Sequence, residues 1–403
     1  MTAQCQALFD PSSRIVKSAW HVVLVVVVGL CGGLPPRISA AAGDATPGAP
    51  PPSATELNNR GVNEAQAGRF EEGILWLRQA LVASPGDDTA RANLSGVLTD
   101  WAHQLNGLGR VDEAVAALQE AVHHDPQNGA ALVALGDLLY LRRSQMDAAI
   151  QSWRQARGKV PDAVWQAVAT RIAQAQQDAL IERGFVAHRT AHFDIRLQQA
   201  SEADVTTLER TLESAYERLA QELGARPPRL TVIIYTDRDL RRASNQRDWA
   251  LGFYDGRIRM RIDELRQEDL EDLAAHELAH AFLCHVHPGR LPTWVHEGYA
   301  QRQERSRPPH PEVARLEEGI RARTLWVPLK WLDRRFEQPS GSEDIARAYV
   351  EARVAVNELV ERFGFERFQA FLARLSDGLS VAEAYERAFA PSRWSRADHG
   401  VFD

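Results

Sequence analysis

The chain has 403 residues, too many for one small core, and its formal charge of -7 and pI near 6.0 argue against a nucleic-acid binder, which usually carries a basic stripe. Lys17, Lys159 and Lys330 are the only lysines, and arginine supplies the rest of the positive charge. With the heavy use of alanine, that composition resembles the codon bias of GC-rich bacterial genomes.

Residues 1–42 read as a signal peptide or N-terminal anchor. Arg14 and Lys17 precede the apolar run WHVVLVVVVGLCGGL, and small residues follow in ISAAAG, so cleavage after Ala40 or Ala42 is expected. The run falls short of the about 20 residues of a comfortable membrane span. Leu30 stands where a lipidated cysteine would require a small residue, which counts against Cys31 as a lipid site. The rest of the chain is therefore expected outside the cytoplasm, in the periplasm or at the cell envelope. If the segment stays uncleaved, it is the one contact with the membrane. Cys5 and Cys31 fall in this presequence, which leaves Cys284 as the sole cysteine of the mature chain and allows no internal disulfide. Residues 43–54, GDATPGAPPPSA, lack apolar periodicity and read as a linker.

Residues 55–183 carry a repeat. Gly68-Arg69-Phe70, Ala80 and Pro85 mark the first unit. Gly109-Arg110-Val111, Ala121 and Pro126 mark the second, and Gly136, Met146-Asp147, Ala156 and Pro161 the third. The closing prolines recur after 41 and 35 residues, with an insertion in the second unit near His103–Leu108. The pattern resembles tetratricopeptide repeats of about 34 residues per helical hairpin. Small residues let paired helices approach, and each proline is expected to stop the second helix. A last helix over Ala163–Arg183 would cap the stack.

Beyond Gly184 the period changes. HFDIRL (192–197) alternates like a strand, Ser201–Asp204 opens a helix with Leu208, Leu212, Ala215 and Leu219 on one face, and RLTVIIY (229–235) is a β-branched strand. Residues 250–262 predict a hairpin or a bent strand with Asp255-Gly256 at the turn, and helices follow to the C-terminus. Strands first and helices after predict an α+β domain over 185–403.

Its centre is HELAH, an HExxH motif within the helical pattern EDLEDLAAHELAHAFL. Positions i and i+4 share a helix face, so His276 and His280 can address one metal ion. Chance alone gives this motif on the order of a few times per hundred such chains. A third ligand is required for a catalytic zinc site that keeps one position for water. The HExxHxxGxxH scheme fails, because Leu283 and Val286 occupy its Gly and His positions. LPTWVHEGYA instead offers Glu297, seventeen residues after His280, with Pro292 breaking the chain and Thr293 expected to cap the new helix. Cys284 is expected to be a small core residue, and His285, His287 and His296 plain polar residues.

HExxH followed by WxxEG resembles the signature of the peptidase-MA, or gluzincin, clan. The order of HFDIRL, the long helix, RLTVIIY, GFYDGRIRM, HELAH and WVHEGYA over about 185–390 is similar to bacterial peptidase-MA-like domains fused to tetratricopeptide repeats. AYVEARVAVNELVERFGFERF (348–368) resembles that family's late helix, with Ala352 where a serine is usual. Ala300 and Gln301 occupy the region where related enzymes place a ligand-orienting aspartate, so sequence identifies no partner for the ligands. The resemblance implies a tetratricopeptide solenoid followed by a zincin-like metallopeptidase domain. It implies Zn²⁺ on His276, His280 and Glu297, Glu277 as general base, Tyr349 as oxyanion donor, and a peptide or protein substrate. The strand at 250–262 would take that peptide by strand addition, and the repeats would recruit a protein partner. A repeat scaffold with a silent catalytic domain, or a zinc hydrolase acting on a non-peptide bond, are the rival expectations.

Overall fold

The computed structural model describes residues 51–198, 202–243, 252–261, 267–305, 311–322, 329–337 and 342–389. The expected presequence, most of the linker, Ser201 and residues 390–403 lie outside them. Among the described residues, no helix is long and apolar enough to cross a membrane.

Three helical hairpins come first: α1 (Ala54–Gln66) with α2 (Phe70–Ala83), α3 (Asp88–Gly107) with α4 (Val111–His124), and α5 (Gly129–Leu141) with α6 (Met146–Gln155). Asp87 and Asn128 accept the Ala90 and Ala131 amides at 3.0 and 2.9 Å, which caps α3 and α5. The insertion expected near His103–Leu108 lengthens α3 to 20 residues, against 13 in α1 and α5. Pro85 and Pro126 follow the ends of α2 and α4 as expected. Pro161 does not end α6, which stops at Gln155; it is instead the N-cap residue of α7 (Asp162–Ile181). Each hairpin turn needs a left-handed residue two places before its second helix. Gly68 and Gly109 supply it with φ of 80° and 77°, and Ser144 takes the same place in the third hairpin with φ of 50°.

The second part is built on five strands: β1 (Val186–Arg189), β2 (Phe193–Leu197), β3 (Leu230–Tyr235), β4 (Gly252–Tyr254) and β5 (Ile258–Arg261). Their order is β1-β2-β3-β5-β4, with β2-β3 and β3-β5 parallel and both outer pairs antiparallel. Helices α8 (Glu202–Leu223) and α9 (Asp237–Ala243) interleave with the strands, so the strands-first order holds only after β5. Parallel neighbours need such crossovers. β3 is central and buried along its whole length, with Val232 and Ile234 on one face and Ile233 and Tyr235 on the other.

The first face packs on α8 and on α10 (Gln267–Val286), in a core with Leu212, Leu219, Leu278 and Phe282. After α10 come α11 (Thr293–Gln303), α12 (Pro311–Arg321), α13 (Leu329–Glu337), α14 (Ser342–Phe363), α15 (Phe365–Ser376) and α16 (Val381–Phe389). Thr293 does not cap α11 with its side chain. Asp333 of α13 does so from a distance, accepting the Trp294 amide at 3.1 Å. α11 and α14 lie very close, because Gly298 faces the Ala352 carbonyl: a Cβ there would stand 2.3 Å from that oxygen. This is what the glycine of WxxEG does in this fold.

Candidate metal centre

One turn of α10 separates His276 from His280, so both rings leave the same helix face. Their Nε2 atoms are 3.2 Å apart. Pro292 interrupts the chain, and α11 then brings Glu297 across: its Oε2 lies 3.6 Å from His276 Nε2 and 3.7 Å from His280 Nε2. Three potential ligand atoms thus form a small triangle. Ligands about 2.0–2.1 Å from a tetrahedral zinc ion stand about 3.3–3.4 Å from one another. The observed edges bracket that value, so the donor set fits three ligands of an ion of that size.

The ring of His276 is held from behind. Its Nδ1 is 2.6 Å from Glu304 Oε1. The Nδ1–H donates to that carboxylate, which leaves the Nε2 lone pair facing the triangle. Sequence reasoning missed Glu304, having looked one turn after Glu297. Glu304 lies two turns after it, at the end of α11, and the i+7 spacing was the available signal. Burial draws the His276 pKa down, yet the bonds to Glu297 and Glu304 and the Glu277 charge raise it well above the usual value. Burial lowers His280 well below it, and the charge on His276 adds to the fall. A cation held between the two rings would meet the carboxylate charge that otherwise draws a proton to one of them.

Glu277 is buried, 3 % exposed, and its Oε2 has no hydrogen-bond partner among the described residues. Burial pushes its carboxyl up to about 8 against the pull of His276, and the Glu297 and Glu304 charges add to the rise. A poised carboxylate beside the ligand triangle is equipped to accept and return a proton near neutral pH. Edge strand β4 lies directly against it, because a Cβ on Gly252 would stand 2.8 Å from Glu277 Oε1.

Other expectations meet different outcomes. Tyr349 is half-buried on α14, its ring edge-on to Phe336 with centroids 5.3 Å apart. Cys284 is half-buried rather than a core residue. His287 and His296, expected as plain polar groups, are buried, and Nε2 of the first and Nδ1 of the second are unpartnered among the described residues. The His296 ring centroid is 5.7 Å from that of His280. Burial is the main cause that lowers both to about 4, so both are neutral at pH 7.

The tetratricopeptide repeat family matches residues 99–164, from the middle of α3 to the start of α7. No curated protein matches the chain. Stacked repeats of this kind present concave surfaces to other proteins, which gives this part of the chain a protein-interaction role.

Proposed function

We propose that the chain is an exported zinc-dependent peptidase of gluzincin type, whose zincin-like second domain cleaves peptide bonds and whose repeats recruit a partner or the substrate protein. The observation that supports it best is the triangle of His276 Nε2, His280 Nε2 and Glu297 Oε2, with a buried Glu277 next to it. Export rests on the N-terminal sequence, with its Arg14 and Lys17, apolar run and small-residue exit.

In this reading Zn²⁺ would polarise the scissile carbonyl and acidify water toward a pKa of about 7. His276, His280 and Glu297 would hold it. Glu304 fixes the His276 tautomer. Glu277 takes the proton of the attacking water and returns it to the departing amide nitrogen. Strand β4 borders the site as the outer strand of the sheet among the described residues, where an extended peptide would lie alongside it by strand addition. Tyr349 is the oxyanion donor that the resemblance implies. Its contact with Phe336 also suits plain packing, and Tyr349→Phe separates the two: loss of kcat at unchanged stability supports the donor role.

The deciding experiment incubates the zinc-loaded protein with a diverse peptide pool and reads products by mass spectrometry, beside Glu277→Gln. Cuts that vanish in the variant support the reading. A protein that binds one zinc ion and leaves the pool intact shifts the weight to a repeat scaffold with a silent second domain, the reading that the repeat match alone favours. Ester and amide substrates of non-peptide type then distinguish the zinc hydrolase alternative.

A further inference from the structure

Strand β5 alternates. Ile258 and Met260 face the core of α8 and α10, so Arg257 and Arg259 point to the opposite face of the sheet. That face meets α7, the last helix of the repeat array. Arg259 donates Nη2 to Asp178 Oδ2 at 2.6 Å and Nη1 to Asp178 Oδ1 at 3.0 Å. Arg257 donates Nη2 to Glu182 Oε2 at 2.6 Å and Nη1 to Asp178 Oδ2 at 3.1 Å. Two tyrosines complete the set. Tyr140 of α5 donates to Asp178 Oδ2 at 2.5 Å and accepts from Arg259 Nη2 at 2.8 Å. Tyr235 of β3 donates to Glu182 Oε1 at 2.8 Å and accepts from Arg259 Nη1 at 2.7 Å. Both arginines and Asp178 are fully buried, and Glu182 and the two tyrosines nearly so.

Charges taken this far from water cost several kcal/mol each and are tolerated only when almost fully paired. Such a network adds little net stability over an apolar contact, and its geometric demand is what distinguishes it. Around it, Phe185, Ile233, Leu240 and Ala243 form an apolar rim against Ile181 of α7. The repeat array is therefore a wall of the sheet.

The contacts continue to the candidate site. Arg259 is the ladder partner of Phe253 in β4, and its guanidinium lies 5.6 Å from the centre of that ring. Its Nε donates to Asp255 Oδ2 at 2.9 Å, inside the turn that joins β4 to β5. Its carbonyl oxygen would be 3.0 Å from a Cβ on Gly252, the residue that bears on Glu277.

We propose that the repeat array positions the candidate site, with Asp178 and Tyr140 acting through Arg259 to hold the β4–β5 hairpin against Glu277. Asp178, Tyr140 and Glu182 are positioning residues. This role goes beyond partner recruitment, and it concerns the placement of an edge strand whether or not that strand borders a peptidase site.

The test is hydrogen exchange on the full chain, read on peptides covering residues 252–261, with α1 and α2 as internal reference. Tyr140→Phe deletes one hydroxyl and leaves the buried charges balanced. Asp178→Asn removes the forked charge pair. Both variants are expected to speed exchange in the hairpin at least tenfold, with α1 and α2 unchanged. Zinc affinity is expected to stay within twofold of wild type in Tyr140→Phe, since α10 and α11 carry the ligands; a general loosening of the fold would lower it. Hairpin exchange at wild-type rates in Tyr140→Phe would overturn the proposal, and so would separate melting of the repeats and the sheet in the wild-type chain. If Asp178→Asn does not fold, Tyr140→Phe decides alone. A wild-type protein that cuts no peptide would defeat the peptidase reading and leave the exchange result standing.

Discussion

Glu304 Oε1 lies 2.6 Å from His276 Nδ1, so the ring that offers Nε2 to the ligand triangle is anchored by a carboxylate from the end of the next helix. Partners of this kind set ring orientation and basicity, and their loss costs about 10–100-fold in metal affinity. Glu304→Gln is expected to weaken zinc binding within that range and leave the far-ultraviolet circular dichroism unchanged. Competition with a chromogenic chelator measures it. Unchanged affinity would remove Glu304 from the centre.

Glu277 gives a stability signature with a definite sign. Its carboxyl is raised from 4.5 to about 8 in the folded metal-free protein. Between those values the folded state binds more protons than the unfolded one, so this group costs stability as pH rises from about 4.5 to about 8. Glu277→Gln cannot lose that proton. The metal-free variant should match wild type in Tm near pH 4.5 and exceed it above pH 8. Parallel Tm curves across the range would contradict the buried carboxyl.

His287 and His296 act in the opposite direction. Both are depressed from 6.5 to about 4, chiefly by burial. The unfolded chain then binds more protons between those values, and stability falls as pH drops from about 6.5 toward 4. His287→Phe is expected to shift the acid-unfolding midpoint to lower pH. A midpoint that stays in place would show that this ring is not a source of acid sensitivity.

Ser144 holds a left-handed turn with φ of 50°, where the first two hairpins use glycine. An L side chain pays about 1–2 kcal/mol for that conformation. The looser unfolded chain of a glycine variant returns about 0.4–1 kcal/mol of it. Ser144→Gly should therefore stabilise the protein by about 0.5–1 kcal/mol, read by urea denaturation.

Gly298→Ala tests the close contact of α11 and α14. Alanine gains about 1 kcal/mol over glycine as a helix former. Against that, its Cβ would sit 2.3 Å from the Ala352 carbonyl oxygen, a backbone atom that cannot swing aside. Overpacking of this kind costs about 1–3 kcal/mol. The clash is expected to win, with a net loss of up to about 2 kcal/mol and weaker zinc binding as Glu297 shifts.

The sequence by itself determined the local features: three hairpins, the strands around 193–197 and 230–235, the β4–β5 turn at Asp255-Gly256, and the His276–His280 pair. Each is set by neighbours within a few residues, where helix and strand periods dictate which side chains share a face. Glu297 was reached by motif spacing across a single break. Tertiary packing alone decided the rest. Asp333 caps α11 from 39 residues away, Glu304 reaches His276 across 28, and Asp178 meets Arg259 across 81. No periodicity reports such pairs, because their separation in sequence is set by the lengths of intervening elements and their meeting by how those elements pack. The clearest case is Arg259 of β5 with Arg257 just before it. Nothing in the local pattern marks them as buried, and only the placement of α7 over the sheet shows that they are buried and paired.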